Sequence, residues 1–216
     1  MLLNEEIIDE IKKEFTGLKN NVKLIVFTQE LNCQYCSENK RLAEEVSKIS
    51  DKIQLEVYNF INDREKVEEY KIDKIPAIVV AGKEKDYGIR FYGIPAGYEF
   101  SSLIAAIKMV SSGESGLSNE TKEKIKEIKK TVHIQVFITP TCPYCPGAVI
   151  MGHKLAFENE FITADMVEAT EFPDLSDKYG VYAVPKIIIN EEIQFEGALP
   201  EPLYIENVLK VNTDNK

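Results

Sequence analysis

Two stretches of this chain repeat each other at a constant distance, and that repeat is the strongest constraint on its fold. Cys33-Gln34-Tyr35-Cys36 and Cys142-Pro143-Tyr144-Cys145 are offset by 109 positions. Lys74-Ile75-Pro76 and Ala183-Val184-Pro185 are offset by the same 109, so each copy places a proline 43 residues after its first cysteine. Phe91-Tyr92-Gly93 then matches Phe195-Glu196-Gly197 at an offset of 104, which makes the first copy five residues longer there. Self-similarity at a fixed period is the signature of a repeated structural unit.

The elements around these anchors also match. Ile7, Ile8, Ile11, Phe15 and Leu18 recur at helical spacing behind a possible cap, Asn4; Ile125, Ile128 and Val132 do so behind Ser118 or Asn119. Short apolar runs at 23–27 and 134–138 predict buried strands, and each leads within a few residues to a cysteine pair. Helices are expected at 37–49 and 146–157, second strands at 53–60 and about 161–167, and short helices near 66–70 and 172–179. Strands at 77–80 and 186–189 follow the prolines. Turns at Gly82-Lys83 and Asn190-Glu191 lead to last strands at 88–91 and 193–195, and helices at 100–110 and 204–211 close the copies. The order is α-β-α-β-α-β-β-α in both. The small polar stretch 111–116 reads as the linker, giving domains 1–115 and 116–216. The tail 212–216 reads as frayed.

Composition narrows the function. The net charge is −10, against the clustered Lys and Arg that a nucleic-acid binder needs to neutralise phosphate. No apolar run reaches the ~18–20 residues that span a bilayer. Residues 1–14 carry acids and isoleucines in place of a basic flank and an apolar stretch, so the chain reads as cytoplasmic, without a signal peptide or membrane partner, though a form already trimmed of its leader would read the same way. Of the 26 basic residues 23 are Lys, and of the 36 acids 27 are Glu. Such Lys/Glu enrichment is reported for hyperthermophile proteins, and AT-rich coding bias would produce the same Lys and Ile excess.

All four cysteines lie in the two Cys-x-x-Cys pairs. In a chain that reads as cytoplasmic, this pattern points to redox or metal chemistry in preference to a scattered disulfide framework. Disulfide exchange needs a thiolate, which a free Cys of pKa about 8.5 supplies sparingly; a helix N-terminus stabilises it through unpaired amides and the macrodipole. The strand–pair–helix order therefore assigns Cys33 and Cys142 as exposed attacking sulfurs. It assigns Cys36 and Cys145, one turn in and more buried, as resolving sulfurs. Pro76 and Pro185, between a polar loop and an apolar strand, suit cis X–Pro bonds facing the cysteines. That would leave the backbone of Ile75 and Val184 free to pair with an extended substrate.

Strand, Cys-x-x-Cys, helix and an Ile/Val-Pro before a β-hairpin resemble the thioredoxin superfamily. Thr139-Pro140-Thr141-Cys142-Pro143-Tyr144-Cys145 looks like a glutaredoxin active site, and the tandem of Gln-Tyr and Pro-Tyr pairs resembles the archaeal glutaredoxin-like protein disulfide oxidoreductases. The resemblance covers roughly residues 5–211. It implies an α/β chain of two tandem thioredoxin-like folds joined face to edge, each a central mixed β-sheet flanked by helices. It implies dithiol–disulfide exchange on protein substrates, with no organic cofactor and no metal, and a thioredoxin-reductase-like NAD(P)H flavoprotein as electron donor. One departure stands out: six residues before the first cysteine, where thioredoxin carries a buried acid, this chain has Phe27 and Val136.

Three rivals remain. The four cysteines could together form one structural zinc site, but zinc ribbons separate their knuckles by roughly 15–20 residues, and a zinc site needs no prolines. Another is a peroxidase or a glutathione-linked glutaredoxin: Tyr35 and Tyr144 could edge a glutathione groove, or equally shield the sulfurs. A chaperone module with one vestigial pair is the third. His133 and His153 read as structural residues, and Glu30, the acid nearest the first pair, as a solvated loop residue.

Overall fold

The computed structural model describes residues 2–212, so the expectation for the tail beyond Val211 falls almost wholly outside the described residues. The first repeat runs α1 (Glu5–Phe15), β1 (Val22–Thr28), α2 (Cys36–Ser47), β2 (Ile53–Asn59), α3 (Arg64–Glu69), β3 (Ala77–Gly82), β4 (Ile89–Tyr92) and α4 (Phe100–Ser112). The second runs α5 (Asn119–Ile125), β5 (Val132–Ile138), α6 (Cys145–Glu158), β6 (Ile162–Glu168), α7 (Pro173–Lys178), β7 (Lys186–Ile189), β8 (Ile193–Glu196) and α8 (Glu201–Leu209). The expected order holds in both copies. Both caps are present: Asn4 Oδ1 accepts from Ile7 N at 2.9 Å, and Ser118 Oγ from Thr121 N at 3.2 Å.

In each repeat the first two strands are parallel and the hairpin after the proline is antiparallel. Alternation sorts the strand residues by face. Leu24 and Val26 of β1 join Leu42 and Val46 of α2 in a large apolar cluster, whereas Ile25 and Phe27 face Val67 and Tyr70 around α3.

The junction differs from the face-to-edge expectation. Strands β4 and β6 pair in parallel, from Ile89 opposite Ala164 to Tyr92 opposite Val167, so the repeats meet edge to edge. One eight-stranded sheet results, in the order β2-β1-β3-β4-β6-β5-β7-β8. Both apolar clusters contain residues of both repeats. Pairing removes two exposed edges, each of which would otherwise present unpaired amides and carbonyls to other chains.

Charge is built into this seam. Arg90 is buried, donating to both carboxylate oxygens of Asp86 and to the carbonyl of Tyr70. Asp165, on the neighbouring strand, accepts from His133 at 2.6 Å. Burial alone would raise the Asp165 pKa, but His133, Lys74 and Arg90 hold it below the usual range. Lys74 also stands 3.7 Å from the centre of the Tyr92 ring. The expected linker starts late: Ser111 and Ser112 complete α4, which ends at Gly113 with φ 79°. Ser111 is buried and donates to the carbonyl of Asn20, which the small-polar pattern of 111–116 conceals. Among the described residues no helix is long and apolar enough to cross a membrane.

Candidate redox sites

Both cysteine pairs lie at the same end of the sheet, where β1 and β5 finish and the strands after the prolines begin. Each pair is a disulfide with Cα atoms 5.5 Å apart. The helices α2 and α6 start at the second cysteine itself, Cys36 and Cys145, a residue earlier than the sequence suggests. The first cysteine therefore lies just ahead of the helix, facing its unpaired amides. In the second site this is explicit, since the Cys145 N–H donates to Cys142 Sγ at 3.1 Å. A hydrogen bond to sulfur at a helix N-terminus favours the thiolate over the thiol.

The inner sulfurs are buried as expected, Cys36 at 1% and Cys145 at 0% exposure. The outer ones differ. Cys33 is half-buried, but Cys142 is only 8% exposed, contrary to the open position expected for it. The covering group is the loop before Pro185: Cys142 Sγ lies 3.8 Å from the carbonyl oxygen of Val184. This contact joins residues 42 positions apart and is invisible to local pattern.

Peptide bonds Ile75–Pro76 and Val184–Pro185 are both cis, as expected. The prolines are buried, while Ile75 and Val184 before them are half-exposed. Each proline carbonyl accepts a glycine amide from the end of the following hairpin, Gly93 at 3.0 Å and Gly197 at 2.9 Å. Both glycines have φ 88°, a conformation that disfavours side chains. The matched Gly93 and Gly197 of the sequence repeat thus fasten the two proline loops. Of the tyrosines between the cysteines, Tyr144 is 73% exposed and Tyr35 half-buried.

Four strand spacings separate β1 from β5, roughly 19 Å at ~4.8 Å each. One zinc ion, with Zn–S bonds of about 2.3 Å, cannot gather both pairs.

The family profile described as a thioredoxin domain matches residues 21–104 and again 132–210. The chain belongs to the thioredoxin domain family. Within this family, a protein disulfide oxidoreductase from Aeropyrum pernix K1 is 36% identical, with a TM-score of 0.90 over 96% of this chain and 93% of that one. The NTD N/C domain of alkylhydroperoxide reductase AhpF from Enterococcus faecalis V583 is 27% identical, with a TM-score of 0.89 over 95% and 99%. The F component of the alkyl hydroperoxide reductase of Staphylococcus aureus strain Mu50 is 27% identical over 191 residues, 88% of this chain. The chain spans about a third of the length of that relative, 34%. Thiol–disulfide exchange is the chemistry of this thioredoxin-family chain: it is a tandem thiol–disulfide oxidoreductase with two Cys-x-x-Cys centres.

Several polar groups around these thioredoxin-family sites escape the sequence reading. Glu99, in the 3-10 turn Gly97–Glu99 ahead of α4, is fully buried where that turn packs on α6. Burial pushes its pKa up to about 7 despite a 2.6 Å bond from Ser102 Oγ, and its Oε1 has no partner. Glu171, after β6, accepts from the Ile94 N–H at 2.8 Å; burial, with Glu168 nearby, pushes it up to about 7. Asn39, one turn after Cys36, is fully buried with both amide atoms unpartnered, where the second repeat has Ala148. None lies in a motif; only the fold buries them. The histidines are structural: burial pulls His153 down to about 4 beside the Arg90 carbonyl, and His133 serves Asp165.

Proposed function

We propose that the chain acts as two separate dithiol–disulfide centres on protein substrates, in units 1–115 and 116–216. Cys33 and Cys142 attack, and Cys36 and Cys145 resolve. The observation carrying this reading is the recurrence, at both sites, of a disulfide at a helix start with a cis-proline loop at the same sheet end. The Cys142 thiolate attacks one sulfur of a substrate disulfide, forming a mixed disulfide and expelling the other sulfur as a thiolate. The Cys145 thiolate then attacks Cys142 Sγ, closing the enzyme disulfide and releasing the second substrate thiolate. The substrate gains two electrons and the enzyme loses two. The half-exposed backbones of Ile75 and Val184 are placed to pair with the extended substrate strand, and Tyr35 and Tyr144 to edge it.

Electrons return through a thioredoxin-reductase-like NAD(P)H flavoprotein in the cytoplasm. This is supported by relatives about two and a half times as long as this chain, one of them an NADH dehydrogenase of Bacillus subtilis, 25% identical over 192 residues. The test is insulin-disulfide reduction with dithiothreitol. Cys33→Ser/Cys36→Ser and Cys142→Ser/Cys145→Ser should each retain turnover and the quadruple variant should have none; activity in the quadruple variant would refute the reading. Reduction by glutathione alone, faster than by any cellular flavoprotein, would favour the glutathione-linked alternative.

A further inference from the structure

The second redox site includes a piece of the first repeat. After β4 the chain crosses the seam, and the Tyr98 N–H donates to the Pro140 carbonyl at 3.0 Å, two residues before Cys142. The approach leaves no room for a side chain at Gly97. Gly97 has φ 58°, and a Cβ there would collide with the Pro140 carbonyl oxygen. Tyr98 is nevertheless 54% exposed.

Exposed apolar side chains are concentrated at this end of the sheet. Nine large ones are exposed among the described residues. Leu31 and Ile61 lie in the loops after β1 and β2, beside the first pair. Tyr144 and Tyr182 flank the second, Tyr182 being 97% exposed and two residues before Val184, whose carbonyl faces Cys142; Tyr98 stands in the turn bonded to Pro140, at the end of the groove between α1, α4 and α6. Tyr144 and Tyr182 thus stand within two residues of groups that frame one buried sulfur, and the Tyr98 backbone is bonded two residues ahead of it. Aromatic rings left in water beside a reactive group supply large contact area at small entropic cost, the usual character of a protein-binding surface.

We propose that Tyr98 is a substrate-contacting residue of the second redox site, donated by the first repeat, and that with Tyr144 and Tyr182 it selects disulfides flanked by apolar side chains in an extended polypeptide. This rests on the reading of Cys142 and Cys145 as a dithiol centre. Cys142 lies under the Val184 carbonyl, and a polypeptide that places its disulfide there passes the Val184 loop, with the Tyr98 turn bonded to Pro140 at its side. A small aliphatic disulfide needs none of them.

The test uses the full chain carrying Cys33→Ser/Cys36→Ser, so that only the second site turns over. Insulin and hydroxyethyl disulfide are compared as substrates, with and without Tyr98→Ala. The alanine variant keeps the backbone bond to Pro140 and loses only the ring. Its KM for insulin should rise about fivefold, in line with loss of one aromatic contact, with kcat and hydroxyethyl disulfide turnover changed less than about twofold. Tyr98→Phe should restore the KM. In the reciprocal Cys142→Ser/Cys145→Ser chain, Tyr98→Ala should change nothing. An unchanged insulin KM, or equal losses on both substrates, would overturn the proposal for Tyr98 while leaving the dithiol reading intact. Absence of any turnover in the Cys33→Ser/Cys36→Ser chain would overturn both.

Discussion

Glu171 of the second repeat accepts the backbone N–H of Ile94 in the first, at 2.8 Å. That bond holds the segment from Gly93 to Glu99, which carries Tyr98 to the second cysteine pair and buries Glu99. A carboxyl group therefore clamps the join between the halves, and burial, reinforced by Glu168, pushes its pKa up to about 7.

The first prediction follows from the sign of that shift. Glu171 and Glu99 both rise from 4.5 to about 7. A raised folded-state pKa means that the stability tied to the protonated form is fully present below about 4.5 and is lost as pH rises through about 7. Glu99→Gln and Glu171→Gln cannot ionise, and the amide oxygen of the second variant can still accept from Ile94. Relative to the parent, Glu99→Gln should gain about 2 kcal/mol between pH 4.5 and pH 8. Glu171→Gln should gain about 1 kcal/mol, because solvent screens its partly exposed carboxyl. Urea midpoints at the two pH values measure both. A difference that stays constant with pH would show that neither carboxyl titrates in this window.

A second prediction concerns sulfur access. In the reduced protein, brief iodoacetamide treatment followed by mass mapping should label Cys33 before Cys36 and Cys142 before Cys145. Cys142, under the Val184 carbonyl, should also label more slowly than Cys33. Faster labelling of either inner cysteine would reverse the assigned roles.

The third concerns Gly97. Replacing it with Ala places a Cβ against the Pro140 carbonyl at a positive φ. The variant should lose about 2 kcal/mol of stability. It should also lose insulin turnover by the second site more than by the first, as read in the two double-serine backgrounds. Equal losses at both sites would mean that the crossing segment does not shape the second site.

The fourth is that the two sites are unequal. Pro143 fixes φ near −65° and removes an amide, which stiffens the second loop, whereas Gln34 leaves the first one freer. Residues at this position tune thiolate stability. Cys33→Ser/Cys36→Ser should keep most insulin-reducing activity and Cys142→Ser/Cys145→Ser should lose most of it; the reverse order is the contrary result.

A fifth addresses the seam. Asp165→Ala strips the partner from His133 and removes the buried negative charge that Lys74 and Arg90, themselves paired with Asp73 and Asp86, also face. It should cost about 3 kcal/mol at neutral pH, read from the denaturant midpoint, while Asp165→Asn should recover part of that. Neutral behaviour of both variants would show the seam charges to be dispensable.

What the sequence determined by itself was local. The spacing of Cys33 to Pro76 and of Cys142 to Pro185, the strand-to-helix change around each pair, and the caps Asn4 and Ser118 are all decided within short windows. There, side-chain period, helix start signals and proline stereochemistry act without distant partners. What the tertiary structure alone decided was relational. The pairing of β4 with β6 uses edges that look like any other edges in sequence. The cover over Cys142, the crossing of Tyr98 to Pro140, the burial of Glu99 and Asn39 and the half-burial of Glu171 all depend on residues brought together from distant parts of the chain. Periodicity states which face of a strand or helix is apolar; it does not state which element comes to lie against it. Whether a carboxyl is solvated or held near neutrality is settled only by that packing.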